Sequence, residues 1–201
     1  MKTFLHVGCG GSRQAQTPFG RYADAWRETT MYVDPNAQPD ILGSMTDMSK
    51  VPDASYDALY SSHSIEHLYP HEVPTALAQF RRVLKPGGFV LITCPDLQSI
   101  CAEVAQGKLT DAVYMSEVGT ITPLDIIYGH RPSIAGGMHF MAHRCGFTQK
   151  TLMAELNDAG FNATLVGGRP APDYDLWALA FVSPTTQDVA MAYSAAFFPG
   201  S

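Results

Sequence analysis

YDALYSSHSIEHLYPHEVPTALAQFRRVLKPGGFVLITC, residues 56–94, is the stretch whose reading decides the fold. Tyr56 to Ser61 is a short, mostly apolar run that reads as a buried strand, closing in the polar Ser61-Ser62-His63-Ser64. Val73, Leu77, Phe80 and Leu84 then recur at helical spacing, and Pro74 suits a first turn, where its missing N–H costs nothing. Pro86-Gly87-Gly88 ends that helix and turns the chain into a second apolar run, Phe89 to Cys94. Strand, helix, strand in this order is the crossover unit of a parallel sheet.

The same alternation extends outward. Upstream, Thr3 to Val7 is a strand that runs into Gly8-Cys9-Gly10-Gly11, Thr30 to Val33 is a second ending at Asp34-Pro35, and Asp40 to Leu42 is a short third. Pro18 and Gly20 leave room for only a short helix near Tyr22 to Trp26. Downstream, Thr148 caps a helix carrying Leu152, Leu156 and Ala159 on one face, with Gly160 as its stop. Phe161 to Val166 and Tyr174 to Val182 have no room for a crossover helix between them, so they are expected as an antiparallel hairpin. The expected architecture is an α/β, Rossmann-like, mostly parallel seven-stranded sheet with helices on both faces and a C-terminal antiparallel hairpin. Residues 1–183 form one domain in this reading. Within it, 107–147 is an irregular, lid-like insertion holding one short helix, Pro123 to Tyr128, and connections this long usually serve function. The tail 184–201 carries an apolar helical patch (Val189, Met191, Ala192, Phe197) that suits docking on the domain or on a second copy as a homodimer.

Composition narrows the function. The 201 residues are 46% hydrophobic and 16% charged, with a net charge of −6. Nucleic-acid binding needs clustered Lys and Arg, and short basic groups such as Arg81-Arg82 are flanked by apolar residues at helical spacing, so a nucleic-acid substrate is disfavoured but not excluded. No apolar stretch approaches the roughly 18 residues of a membrane helix, and Met1 to Val7 reads as a strand instead of a signal peptide. Cys9, Cys94, Cys101 and Cys145 form no CxxC pair and are expected as free thiols in a reducing cytoplasm.

Two small motifs point to a nucleoside ligand. Glycines after a first parallel strand let the backbone approach a ligand closely. A carboxylate at the end of the second strand, Asp34, can accept hydrogen bonds from both ribose hydroxyls. Arg13 stands where a dinucleotide fingerprint has its third glycine, which weighs against a nicotinamide enzyme. Leu5-His-Val-Gly-Cys-Gly10, Tyr32-Val-Asp34, Ser61-Ser-His-Ser-Ile-Glu-His-Leu68 and Phe80-Arg-Arg-Val-Leu-Lys-Pro-Gly-Gly88 together resemble the class I S-adenosylmethionine-dependent methyltransferases, in particular a small bacterial type-11-like branch. The resemblance covers residues 3–95, and more loosely the Ala159-Gly160-Phe161 turn and the closing hairpin.

That resemblance implies S-adenosylmethionine as cofactor, with Gly8 and Gly10 lining its methionyl end and Asp34 holding the ribose. Gly43 to Asp47 matches the adenine-contacting stretch, so Ser44, Met45 and Asp47 join the cofactor site. The family carries an acidic residue where Ser44 stands, and Asp47 is the nearby carboxylate that can substitute. Ser62 and His63 would border the transferred methyl. It further implies a small polar acceptor and in-line methyl transfer, in which the protein supplies alignment, desolvation and at most one base. His63, His130 and His143 are the candidate bases. His139, His143 and Cys145 permit a metal site but lack a fourth ligand, so no metal is expected. Glu66-His67 is read as ordering the turn after the fourth strand. The alternative is a protein that binds the cofactor but has lost catalysis.

Overall fold

The computed structural model describes residues 1–116 and 118–199. Nine strands are present among them: β1 (Lys2–Val7), β2 (Trp26–Tyr32), β3 (Ile41–Leu42), β4 (Tyr56–Ser62), β5 (Leu84–Pro95), β6 (Tyr114–Ser116), β7 (Gly119–Ile121), β8 (Asn162–Arg169) and β9 (Asp175–Phe181). Seven of these form one sheet in the order β3-β2-β1-β4-β5-β9-β8, and β6-β7 make a separate two-stranded ribbon. β1 pairs in parallel with both β2 and β4, and β4 pairs in parallel with β5. β9 runs antiparallel between β5 and β8, which is the expected closing hairpin. The helices are α1 (Val73–Val83), α2 (Leu97–Ala105), α3 (Pro123–Tyr128), α4 (Arg131–Ala135), α5 (Gln149–Asp158) and α6 (Gln187–Phe197). None of them is long and apolar enough to cross a membrane.

Alternation along the strands divides the core into two layers. On one face Leu5, Leu59, Val90, Ile92 and Ala178 pack under Leu77 and Phe80 of α1 and Leu152 and Leu156 of α5. On the other, Phe4, Tyr60, Phe89, Leu91 and Phe181 meet Phe19, Trp26 and the α6 residues Ala190 and Phe197. The second layer is aromatic: Phe19 stacks on Phe4 at 4.1 Å between ring centroids and meets Phe197 at 4.8 Å.

Several local boundaries differ from expectation, each for a tertiary reason. No helix forms near Tyr22 to Trp26; the β1–β2 connection holds two 3-10 turns, Gln14–Gln16 and Gly20–Tyr22, and Trp26 already begins β2. Polar Arg27, Glu28 and Thr29 disguise the first half of that strand, but Glu28 is used inward. It receives His6 Nδ1 at 2.8 Å and the Gln14 N–H at 2.8 Å. α1 stops at Val83, because Leu84 is already extended, and Leu84 to Gly88 continues as strand. The register with β4 shifts between Tyr56 and Ala58, so Pro86-Gly87-Gly88 is absorbed as a bulge. α2, to which the sequence reading assigned no element, is capped by Asp96, whose side chain accepts the Gln98 N–H.

In the tail, Phe197 is 6% exposed while Met191 is 52% exposed, so α6 turns its aromatic end onto the sheet and its thioether outward. Phe197→Ala should therefore lower the unfolding free energy by about 3 kcal/mol, whereas Met191→Ala should change it by less than about 0.5 kcal/mol. Urea unfolding of the two variants checks this; equal effects would mean that α6 is not docked as described.

Candidate active site

Sheet order reverses between β1 and β4, the place where open parallel sheets bind ligands beyond their carboxyl ends. The loops leaving the two strands nearly touch there. Gly8 has φ +75°, and a Cβ on it would stand 2.0 Å from Ser64 Oγ. Only glycine fits on both counts, conformation and space. Gly10 also has φ +51°. Arg13, in place of a third glycine, reaches from this loop to the next. Its guanidinium donates to Gly10 O at 3.3 Å and to Ala37 O at 2.7 Å, tying the β1 loop to the turn after β2.

Above this crevice lies a cavity of about 430 Å³. Its floor is Val7, Gly8 and Gly10, its sides are Tyr32-Val33 and Gly43 to Thr46, and the loop after β4 brings His63, Ser64 and His67 to Tyr69. Phe140, Met141 and Arg144 close it from above. Phe140 meets Tyr32 edge-on at 6.3 Å, and Arg144 lies over the Tyr69 ring at 5.1 Å while donating to His67 O at 2.5 Å. A second cavity of about 200 Å³ adjoins, lined by His63, Glu66, Asp125, His130, His143 and Tyr174 among others. A third, of about 230 Å³, lies beneath Cys9, Ser12 and Ser62.

His63 borders all three cavities. It is a non-glycine residue held at φ +45°, a strained backbone that turns its imidazole into the junction. Its Nδ1 lies 3.6 Å from Glu66 Oε1 and its Nε2 4.0 Å from Asp175 Oδ2. Desolvation pulls its pKa down, but the Glu66 carboxylate, with Asp175 behind it, outweighs that and leaves it raised. Glu66 is 1% exposed, and neither of its carboxylate oxygens has a hydrogen-bond partner. Burial alone would raise its pKa; the facing histidines, His63 first, keep it lowered. For His143 burial dominates and the pKa falls.

The remaining expected residues divide. Ser44 and Met45 line the large cavity with Gly8, Gly10 and His63. Ser62 faces the third cavity and shares a 2.9 Å hydrogen bond with Thr93. Asp34 flanks the wall at Val33 and caps the next turn, accepting the Asn36 N–H at 2.9 Å. Asp47 is exposed and accepts the Ser49 N–H at 3.1 Å, so Thr46 takes the wall position beside it. His130 and His143 line the second cavity, with Nδ1 on Ser133 Oγ at 2.7 Å and on Ile126 O at 2.7 Å. The insertion that carries them is anchored by buried Asp125, which accepts from Thr122 Oγ1 at 2.6 Å and Arg131 Nε at 2.7 Å. All four cysteines are free; Cys9 and Cys94 are buried, Cys145 half-buried and Cys101 exposed.

Sequence reasoning missed Glu66 as a site group, and Tyr32, Phe140 and Met141 as walls, whereas Arg144 was expected in a lid over the site. Glu66 had a signal in the Ile-Glu-His-Leu phrase, but read as a turn-former. That part holds, since its carbonyl accepts the Arg144 N–H at 2.8 Å and the Cys145 N–H at 3.2 Å. Phe140 to Arg144 belong to no periodic pattern, so only the folded loop shows where they point.

The topology and a glycine-floored crevice at its reversal point define a class I, Rossmann-like methyltransferase fold. A methyltransferase domain family model matches residues 5–92, a little under half of this chain. A curated relative, an S-adenosyl-L-methionine-dependent Diels-Alderase of Talaromyces variabilis, is 36% identical over 77 residues, 38% of this chain. The chain spans about a quarter, 26%, of that relative's length. Among solved structures, a protein from Pyrococcus horikoshii OT3 superposes with TM-score 0.61 at 13% identity, over 90% of this chain and 81% of that one. A SAM-dependent methyltransferase from Methanosarcina mazei gives TM-score 0.58 at 15% identity, over 89% and 91%. The 1,6-didemethyltoxoflavin-N1-methyltransferase of Burkholderia thailandensis, solved with its substrate and S-adenosylhomocysteine, gives 0.54 at 16%, over 89% and 70%.

Gly8→Ala should cost about 2 kcal/mol of stability, from left-handed strain and the Ser64 clash together. Adding Ser64→Gly should restore part of that loss, because it removes the clash and leaves the strain. Thermal unfolding of the single and double variants tests it; no recovery in the double variant would contradict the close approach.

Proposed function

We propose that the chain is an S-adenosylmethionine-dependent methyltransferase acting on a small polar acceptor, with the cofactor in the 430 Å³ cavity and the acceptor in the adjoining one. The observation that carries this reading is the pair of cavities meeting at His63, the larger floored by Gly8 and Gly10 at the sheet's reversal point. Its volume falls within the range of roughly 300–1,000 Å³ common for small-ligand sites. In this arrangement the methionyl end lies over Gly8 and Gly10. The nucleoside lies along Tyr32-Val33 and Ser44 to Thr46, with Asp34 turned from its Asn36 contact toward the ribose. S-adenosylmethionine, when bound, supplies an electrophilic methyl and a neutral thioether leaving group.

The chain's own contribution is alignment and exclusion of water. Phe140 and Met141 cover the large cavity, and the tethered 122–131 segment walls the small one. His63 is the proton acceptor for an acceptor hydroxyl or amine, since it faces both chambers and Glu66 stabilises the imidazolium that results. His130 and His143 orient the acceptor, their Nδ1 atoms being committed to Ser133 and Ile126.

Calorimetric titration with S-adenosylmethionine and S-adenosylhomocysteine, with NADH as control, tests the cofactor. Both sulfur nucleosides should bind, and Asp34→Ala should weaken them by roughly tenfold to a hundredfold, the worth of hydrogen bonds to a charged group. Failure of both to bind would remove the reading. Binding without methyl transfer to any acceptor would favour the alternative of a cofactor-binding protein that has lost catalysis.

A further inference from the structure

Glu66 is a buried carboxylate with no hydrogen bond to either oxygen. Uncompensated burial of a charge is costly, and such groups are paired or ligate a metal. One of its oxygens and one ring nitrogen each of His67 and His143 lie within 4.8 Å of one another. Both imidazoles are set in the manner of metal ligands. His67 Nδ1 lies 3.2 Å from Ala142 O, and His143 Nδ1 lies 2.7 Å from Ile126 O. A carbonyl oxygen only accepts, so each ring carries its proton on Nδ1 and keeps a lone pair on Nε2. Metal-binding histidines are oriented by this kind of second contact. His143 Nε2 is 4.0 Å from Glu66 Oε1.

The backbone holds the three groups in place from both sides. Glu66 and His67 sit in the 3-10 turn Ile65–His67 after β4, and the Glu66 carbonyl receives the N–H groups of Arg144 and Cys145. His143 donates its own N–H to Tyr128 O at 3.1 Å. Gly129, at φ +93°, permits this contact, because a Cβ there would lie 2.2 Å from Met141 O.

We propose that Glu66, His67 and His143 form a two-histidine, one-carboxylate site for a divalent transition-metal ion. Small side-chain rotations would bring the three donors to the roughly 2.0–2.2 Å at which a zinc-type ion is held. Three protein ligands would leave coordination positions open beside the 200 Å³ cavity that Glu66, His67 and His143 help to line. An anionic or chelating oxygen of a bound molecule is the group such a position takes, as a Lewis acid orients and polarises it. The three donors do not depend on methyl transfer; with an ion bound, Glu66 and His143 would serve the acceptor through the metal instead of directly.

The test uses the whole chain stripped with EDTA and titrated calorimetrically with zinc(II), then with cobalt(II) followed by visible absorption. One equivalent of zinc should bind. Glu66→Gln and His143→Ala should each weaken binding by at least about a hundredfold, as losing a ligand exceeds the roughly tenfold to hundredfold cost of losing an outer partner. His71→Ala, an exposed histidine outside the cluster, should leave it unchanged. Zinc binding that Glu66→Gln leaves intact, or no stoichiometric binding, would overturn the proposal. Should the variants fail to fold, the cobalt spectrum of the unaltered chain decides. An intense band of a four- or five-coordinate ion upholds the site, and the weak spectrum of the hydrated ion refutes it.

Discussion

The contact between Gly8 and Ser64 sets the geometry on which everything at the site depends. β1 and β4 are neighbours whose connections leave in opposite directions, and the first residues of the two following loops lie against each other at the reversal point. They pass so closely that no side chain fits on Gly8. Ser64 is itself fixed there, since its hydroxyl donates to Ser62 O at 2.9 Å. His63, the residue before Ser64, has φ +45°, and its side chain lines all three cavities.

The opposite end of the design lies on the aromatic face of the sheet. A doubly wound sheet normally covers both faces with crossover helices, yet here β1 passes to β2 through 3-10 turns. Phe19 from that connection and Phe197 from α6 cover Phe4, Trp26 and Phe89 instead. Large rings bury much apolar surface per residue, so a few of them replace a helix that the chain does not have. The Tyr22 hydroxyl, donating to Ala196 O at 3.4 Å, joins the two coverings.

The cover over the site is built differently, from polar tethers. Asp125 is buried with Thr122 and Arg131 around its carboxylate, and the guanidinium and hydroxyl outweigh desolvation, so the charge persists. Backbone carbonyls of Ile126 and Ala142 hold His143 and His67, and Glu66 anchors residues 144 and 145. Both Glu66 oxygens lack hydrogen bonds, and the carboxylate is faced instead by imidazoles, His63 at 3.6 Å and His143 at 4.0 Å.

The parallel sheet, the α1 crossover, the capped α5 and the closing hairpin were legible in the sequence. Their signals are local: period-two or period-3.6 apolar patterns, Thr148 as cap, and glycine and proline as punctuation. The family resemblance named Gly8, Gly10, Ser44, Met45 and His63, and these five line the large cavity. The start of β2 was hidden because Glu28 faces inward to a partner, His6, that lies far along the chain. Asp47 and Thr46 exchanged places at the wall because a bridge between Ser44 and Asp47 sets which side chain turns inward. Sequence alone therefore determined the chain order of the main-sheet strands and the helices α1, α3 and α5, but not α2 or the β6–β7 ribbon. Tertiary structure decided which side chains meet: Phe140 over Tyr32, Arg144 over Tyr69, and His143 beside Glu66. Pattern records what each segment buries, whereas contacts between distant loops depend on how the chain closes, which no local period encodes.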